Sequence, residues 1–121
     1  MPEAPRERPD NYTLLHSFSG HVKARPREVF DAIARRLDPG SRSGSLFTAD
    51  ARAYLVIAQG GWWYRGEYRV VPDDYGSNVE HVILNVATRG HRLGAWTGRK
   101  VIADAPVEFE KLLRQLRLEL E

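Results

Sequence analysis

The sequence predicts a single α+β domain in which a curved antiparallel β-sheet is wrapped around a long C-terminal α-helix. Segments with strand periodicity follow one another across short turns, which favours an antiparallel meander over βαβ units. One short helix is predicted after the first strand, and the chain ends in a long amphipathic helix. The apolar stripe of that terminal helix needs an apolar surface, and the sheet is the only predicted element large enough to provide one.

Length and composition are those of an ordinary globular domain. The 121 residues fit one core, since a single core usually serves about 50–200 residues. Residues 1–11, rich in proline and charge, are predicted to form a flexible N-terminal arm, and the domain is predicted over residues 12–121. No apolar run reaches the roughly 20 residues of a membrane span, and the N-terminus lacks the apolar stretch of a signal peptide. The absence of cysteine excludes disulfides and favours the cytoplasm.

The first strand and the first helix are marked by local signals. Apolar residues alternate over Tyr12–Val22, as in a half-buried strand. A helix is predicted to begin at Pro26, whose fixed φ suits a first turn, and to run to Leu37 on helical apolar spacing. The sequence Asp38-Pro39-Gly40 ends this helix, because proline cannot continue it and glycine turns the chain.

The remaining strands are predicted over Leu46–Ala49, Arg52–Gln59, Trp62–Val71 and Asn78–Thr88. In the third of these, Tyr64 and Tyr68 share one parity and are predicted to face the terminal helix. The charged residues of the other parity are predicted to lie in solvent, because burying three charges together without partners is too costly. Those residues are Arg65, Glu67 and Arg69. In the last strand, Leu84 is assigned to the inward face and His81 to the opposite one.

The C-terminal part is predicted to be a loop followed by the long helix. Residues 89–100, which contain three glycines, are predicted to be a loop with room for one more strand. The helix is predicted from Ala105 to Leu120, with Asp104 as its N-cap and Pro106 in the first turn. Leu113 and Leu116 lie in the middle of its apolar stripe, so both are predicted to be buried against the sheet.

Three stretches carry a family resemblance: the strand-to-helix entry HVKARPREVFDAI (His21–Ile33), the aromatic strand over Gly61–Val71, and the FEKLL run (Phe109–Leu113). In this order they resemble the START-like helix-grip superfamily, also called SRPBCC, which includes polyketide cyclases and lipid-transfer proteins. The resemblance covers about Tyr12 to Leu120 and implies an apolar cavity between the sheet and the terminal helix. Family members usually have a second short helix after the first strand, for which residues 38–45 are too few. The resemblance therefore implies a smaller or more open cavity here.

The function implied by the resemblance is binding of a small apolar or aromatic molecule in a pocket between the sheet and the C-terminal helix. Candidate lining residues are inward aromatic and aliphatic side chains, with one histidine as a polar contact: His16, Phe18, Tyr54, Tyr64, Tyr68, Leu84, Phe109 and Leu113. Three tyrosines among them favour an amphipathic cleft, because a buried hydroxyl needs a partner. Two alternatives stay open: an enzyme of the polyketide cyclase or dehydratase type, and a protein-interaction module with a filled core, which could be a homodimer.

Motifs for catalysis, metals and nucleic acid are not found in the sequence. The four histidines make no known ligand spacing, and there is no serine-nucleophile elbow or phosphate-binding glycine loop. No cofactor, metal or catalytic residue is therefore predicted. The 18 basic and 16 acidic residues are interspersed, with a net charge of +2, so no basic face for nucleic acid is predicted. The expected partner is a small hydrophobic molecule.

Overall fold

The computed structural model describes residues 3–40, 45–60, 63–87 and 98–121. The elements in chain order are β1 (Thr13–Val22), α1 (Pro26–Leu37), β2 (Ser45–Asp50), β3 (Leu55–Gly60), β4 (Tyr64–Asp73), β5 (Gly76–Asn85) and α2 (Arg99–Leu120). The described residues thus form an α+β fold with one curved, five-stranded antiparallel sheet and two helices, as predicted at this level.

The strand order in the sheet is β1-β5-β4-β3-β2. Strands β2 to β5 form a meander, and β1 joins it by pairing with β5 at the edge far from β2. Because α1 connects strands at opposite edges, it crosses one face of the sheet. Both helices pack on this face, here called the inner face, which carries Val56, Tyr68 and Val79. The opposite side of the sheet is here called the outer face.

The main core lies between the inner face and the two helices. Leu113 and Leu116 of α2 are 1% and 0% exposed, which confirms the prediction that both are buried. Leu113 lies directly over Gly20 of β1, where the Cβ atom of any larger residue would collide with the Leu113 Cδ1 atom. The missing side chain at Gly20 therefore lets α2 approach the sheet closely.

The ends of helices and strands agree with the prediction where neighbouring residues in the sequence determine them. Helix α1 runs from Pro26 to Leu37, as predicted. Strand β3 begins only at Leu55, because residues 51–54 form a turn in which Tyr54 adopts a φ of 50°. Helix α2 begins at Arg99, well before the predicted start, so that Asp104 is not its N-cap and Pro106 lies inside it. Of the predicted loop over 89–100, residues 89–97 lie outside the described residues.

An N-terminal segment, residues 3–11, lies along the outer face without regular secondary structure. Ala4 is buried there and packs with Leu55 and Ile57 of β3. The hydroxyl of Thr48 donates a hydrogen bond of 2.6 Å to the carbonyl of Ala4. The flexibility of this arm stays a prediction, but its contacts with the sheet were not expected from the sequence.

These contacts bury charges that were expected in solvent. Arg65 is 0% exposed and Glu67 is 8% exposed, so the prediction for both was wrong, whereas Arg69 is exposed as predicted. The Arg65 guanidinium donates to the Pro5 carbonyl at 2.7 Å and to the Glu67 carboxylate at 2.8 Å. Glu67 also accepts from Arg8 at 2.8 Å. Although burial opposes it, the two guanidiniums hold the pKa of Glu67 below its usual value.

Candidate functional site

A cavity of about 320 Å³ lies between the inner face and the two helices. Its interior side chains are Tyr64, Tyr68, His81, Ile83, Ala105 and Phe109. The polar side chains at its mouth are Arg36, Glu108, Lys111 and Gln115, all on exposed residues. Strands β4 and β5 thus form one wall, α2 forms the other, and the end of α1 closes one side. A second cavity of about 180 Å³ adjoins the first and shares Leu37 and Tyr64 with it.

Strand β4 contributes the two tyrosines of the cavity wall. Tyr64 and Tyr68 both line the cavity, which confirms the prediction that they face the terminal helix. Between them lies Gly66, where a Cβ would stand 2.5 Å from the Tyr64 hydroxyl oxygen. The bare backbone at Gly66 therefore allows the Tyr64 ring to lie across the strand.

The hydroxyl groups of Tyr64 and Tyr68 lie close enough to influence each other's ionisation. Burial raises the pKa of both Tyr64 and Tyr68 above the usual value. Both hydroxyls therefore keep their protons at neutral pH. Each hydroxyl can donate its own proton to one partner and can also accept hydrogen bonds.

Strand β5 faces the cavity with the opposite parity from the one predicted. The pairing of β4 with β5 sets His81 opposite Tyr68, and both line the cavity together with Ile83. Leu84 pairs with Arg65 instead and therefore lies on the outer face. The assignment failed because the N-terminal segment covers the outer face, so that both faces of β5 carry apolar residues. The hydrophobic pattern alone could not decide between them.

His81 is a buried and neutral histidine whose Nε2 atom has no hydrogen-bond partner among the residues that the structure describes. Its Nδ1 atom lies 3.0 Å from the backbone carbonyl oxygen of Glu67. Because a carbonyl oxygen can only accept, Nδ1 carries the proton and Nε2 carries the lone pair. Burial lowers the pKa of His81 to about 4, so the ring is uncharged at pH 7. The ring stacks on Tyr68 with centroids 3.9 Å apart and planes 6° apart.

Phe18 of β1 and Phe109 of α2 extend this stack of rings. The centroids of Phe18 and Phe109 are 5.4 Å apart, and those of His81 and Phe109 are 5.7 Å apart. His16 stacks on Phe18 at 5.2 Å, one step further along β1. The His16 Nε2 atom is buried and has no hydrogen-bond partner among the described residues. The predicted polar contact at His16 therefore lies beside the cavity lining rather than in it.

The structure brings together only some of the predicted lining residues. Tyr64, Tyr68 and Phe109 line the cavity, and Phe18 and His16 adjoin it through ring contacts. The role of all five in binding stays a prediction.

Three further predicted residues lie elsewhere. Tyr54 packs against Phe30 of α1, with ring centroids 5.9 Å apart. Leu113 is buried against Gly20 in the main core, and Leu84 lies on the outer face.

Sequence reasoning missed His81, Ile83 and Ala105. A usable signal was the hairpin between β4 and β5, in which Pro72 pairs with Ser77. Counting outward from that pair sets Tyr68 opposite His81, and paired residues of an antiparallel sheet point to the same face. Once Tyr68 is assigned to the inner face, His81 follows.

Comparison with protein-family models, with curated proteins and with solved structures gives no match for this chain. Within the described ranges, no cluster of three or more histidine, aspartate or glutamate side chains could hold a metal ion. Neither α1 nor α2 combines the length and the apolar character that a membrane-crossing helix requires. The helix-grip resemblance therefore stays a prediction.

Proposed function

We propose that this chain binds a small apolar or aromatic molecule in the cavity between the sheet and α2. The cavity itself carries the proposal, because its volume of about 320 Å³ falls within the range of about 300–1,000 Å³ that is typical of small-molecule sites. Aromatic and aliphatic side chains form the interior, and the charged side chains lie at the mouth. In such a site apolar contact supplies most of the affinity, and a few polar groups orient the ligand.

We also propose that the chain is a short helix-grip domain of the START-like type. The strand order supports this, because β1 and β2 lie at opposite edges and the helix between them crosses the inner face. The long terminal helix packs on that same face. A cavity with a polar, exposed mouth agrees with the smaller or more open cavity that the resemblance implies.

Catalysis of the cyclase or dehydratase type is the second candidate, because Tyr64, Tyr68 and His81 converge on the cavity. An efficient general acid or base has a pKa near the working pH. Burial lowers the pKa of His81 to about 4 and raises those of both tyrosines, so none of them exchanges protons readily at neutral pH. Binding is therefore better supported than catalysis. An open cavity also supports binding over an interaction module with a filled core.

The test is a screen of aromatic and fatty compounds, read by thermal shift, with two matched tryptophan variants. Val101 lines the cavity and is 49% exposed, so Val101→Trp should block the cavity without overpacking the core. Val107 is 68% exposed on the same helix and does not line the cavity, so Val107→Trp is the control. A ligand at a hundredfold excess over its dissociation constant should stabilise the wild-type protein by about 2.7 kcal/mol.

We expect Val107→Trp to keep this stabilisation and Val101→Trp to lose it. If no compound stabilises the wild-type protein, the binding proposal fails and the interaction module replaces it. Equal stabilisation of both variants would locate the ligand outside this cavity.

A further inference from the structure

The interior of the cavity offers hydrogen bonds but no charge among the described residues. Its polar atoms belong to Tyr64, Tyr68 and His81, while Arg36, Glu108 and Lys111 are confined to the exposed mouth. An ionised group on a ligand would lose its hydration inside and find no opposite charge there. The interior of the cavity therefore suits an uncharged group.

His81 offers the ligand an acceptor whose direction is fixed. The proton on Nδ1 is held by the Glu67 carbonyl at 3.0 Å, which leaves the lone pair on Nε2 as the free polar function of the ring. The ring cannot turn freely, because it is stacked on Tyr68 at 3.9 Å and lies 5.7 Å from Phe109. An acceptor held in this way selects for a donor on the ligand.

The aromatic walls of the cavity favour a flat molecule. The ring planes of His81 and Tyr68 are 6° apart, and those of His81 and Phe109 are 22° apart. The contacting faces of His81 and Tyr68 cover each other at 3.9 Å, so a ligand ring can pack against the edges of these rings in the edge-to-face arrangement that aromatic pairs favour. The cavity volume of about 320 Å³ limits the ligand to a few fused or linked rings.

We propose, resting on the binding function above, that the ligand is a flat, uncharged aromatic molecule with one hydroxyl or N–H donor that hydrogen-bonds to Nε2 of His81. Phenols and N–H heteroaromatics are the chemical classes that meet this requirement. The hydroxyl protons of Tyr64 and Tyr68, which line the same cavity, can be donated to a second, acceptor atom on the same ligand.

The experiment compares β-naphthol with its methyl ether, which keeps the flat shape and removes the donor. Isothermal titration calorimetry on the full chain should show that the wild-type protein binds β-naphthol about three- to tenfold more tightly than the ether, which is the effect of one neutral hydrogen bond. In His81→Phe, which keeps a flat ring but has no acceptor, this preference should disappear. In Val107→Trp, at an exposed position outside the cavity, the preference should persist, because Nε2 of His81 is unchanged.

The outcomes separate this inference from the proposed function. If neither compound binds to the wild-type protein, this ligand class is wrong, and the binding function is decided by the compound screen. If both bind equally well, or if the preference survives in His81→Phe, the binding function stands and the His81 contact is wrong. A readout that needs no variant is the ¹⁵N chemical shift of His81 Nε2, which should move with β-naphthol and stay in place with the ether. An unmoved signal with both compounds would also overturn the contact.

Discussion

Replacing Gly20 and Leu113, singly and together, tests how closely α2 packs on the sheet. Leu113 is 1% exposed, and its Cδ1 atom occupies the space that a Cβ at Gly20 would need. Two heavy atoms cannot share this space, so Gly20→Ala must displace Leu113 within a packed core. Leu113→Ala removes the atoms that would collide. The two substitutions should therefore compensate each other.

The expected magnitudes follow from burial and packing. Leu113→Ala should lower the free energy of unfolding by about 2–5 kcal/mol, through lost apolar contact and the space left behind. Gly20→Ala should lower it by about 1–3 kcal/mol through overpacking. In the double variant, the new methyl group occupies part of the vacated space, so the combined loss should be smaller than the sum by about 0.5–3 kcal/mol.

The assay is urea denaturation of the wild-type protein, the two single variants and the double variant. Arg114→Ala, at an exposed position of the same helix, is the control and should change the free energy of unfolding by less than about 0.5 kcal/mol. Additive losses in the double variant would refute the close contact between Gly20 and Leu113. An Arg114→Ala loss as large as that of Leu113→Ala would show that the helix presents a different face to the sheet.

Three further predictions concern the outer face and the cavity. Arg65→Ala should lower the free energy of unfolding by about 3–5 kcal/mol in urea, because it breaks a buried ion pair, whereas Arg69→Ala should change it by less than about 0.5 kcal/mol; equal effects would contradict the burial of Arg65. The pKa of His81 lies at about 4 in the folded protein against an ordinary 6.5, so the unfolded chain binds the proton first as the pH falls. Stability should therefore drop by about 3 kcal/mol between pH 6.5 and pH 4, and a His81→Phe variant with the same pH dependence would refute this assignment. Gly66→Ala should displace the Tyr64 ring, because its Cβ would meet the hydroxyl oxygen at 2.5 Å, and unchanged ring-proton NMR signals of Tyr64 would contradict the contact.

Elements with local signals were predictable from the sequence. Pro26 and the sequence Asp38-Pro39-Gly40 bound α1 through backbone constraints that act whatever the rest of the chain does. The sequence also predicted which side of the sheet Tyr64 and Tyr68 of β4 face, because aromatic and charged residues alternate along this strand. The start of α2 at Arg99 was not predictable, because Asp104 and Pro106 are residues typical of a helix N-terminus. Packing of Ile102 and Ala105 against Trp63 extends the helix past that local signal.

Features that depend on distant parts of the chain were not predictable. Arg65 is buried only because residues 3–11 cover the outer face and supply backbone acceptors. Because the N-terminal segment also covers the outer face of β5, both sides of this strand carry apolar residues. The hydrophobic pattern therefore assigned Leu84, rather than His81, to the side that faces the cavity. A strand pattern places Tyr54 in the cavity, but this residue lies in a turn. A sequence pattern reports whether a face is apolar and does not report what covers it.

The most direct test of ligand binding in this cavity is a measurement of intermolecular nuclear Overhauser effects between β-naphthol and the methyl groups of the isotope-labelled protein. Binding in the cavity predicts contacts with Ile83, Ala105 and Leu112, which line it. Contacts with Leu55 and Ile57, which pack on the outer face, would contradict binding at this site. The absence of any contact at a saturating concentration of ligand would contradict it as well.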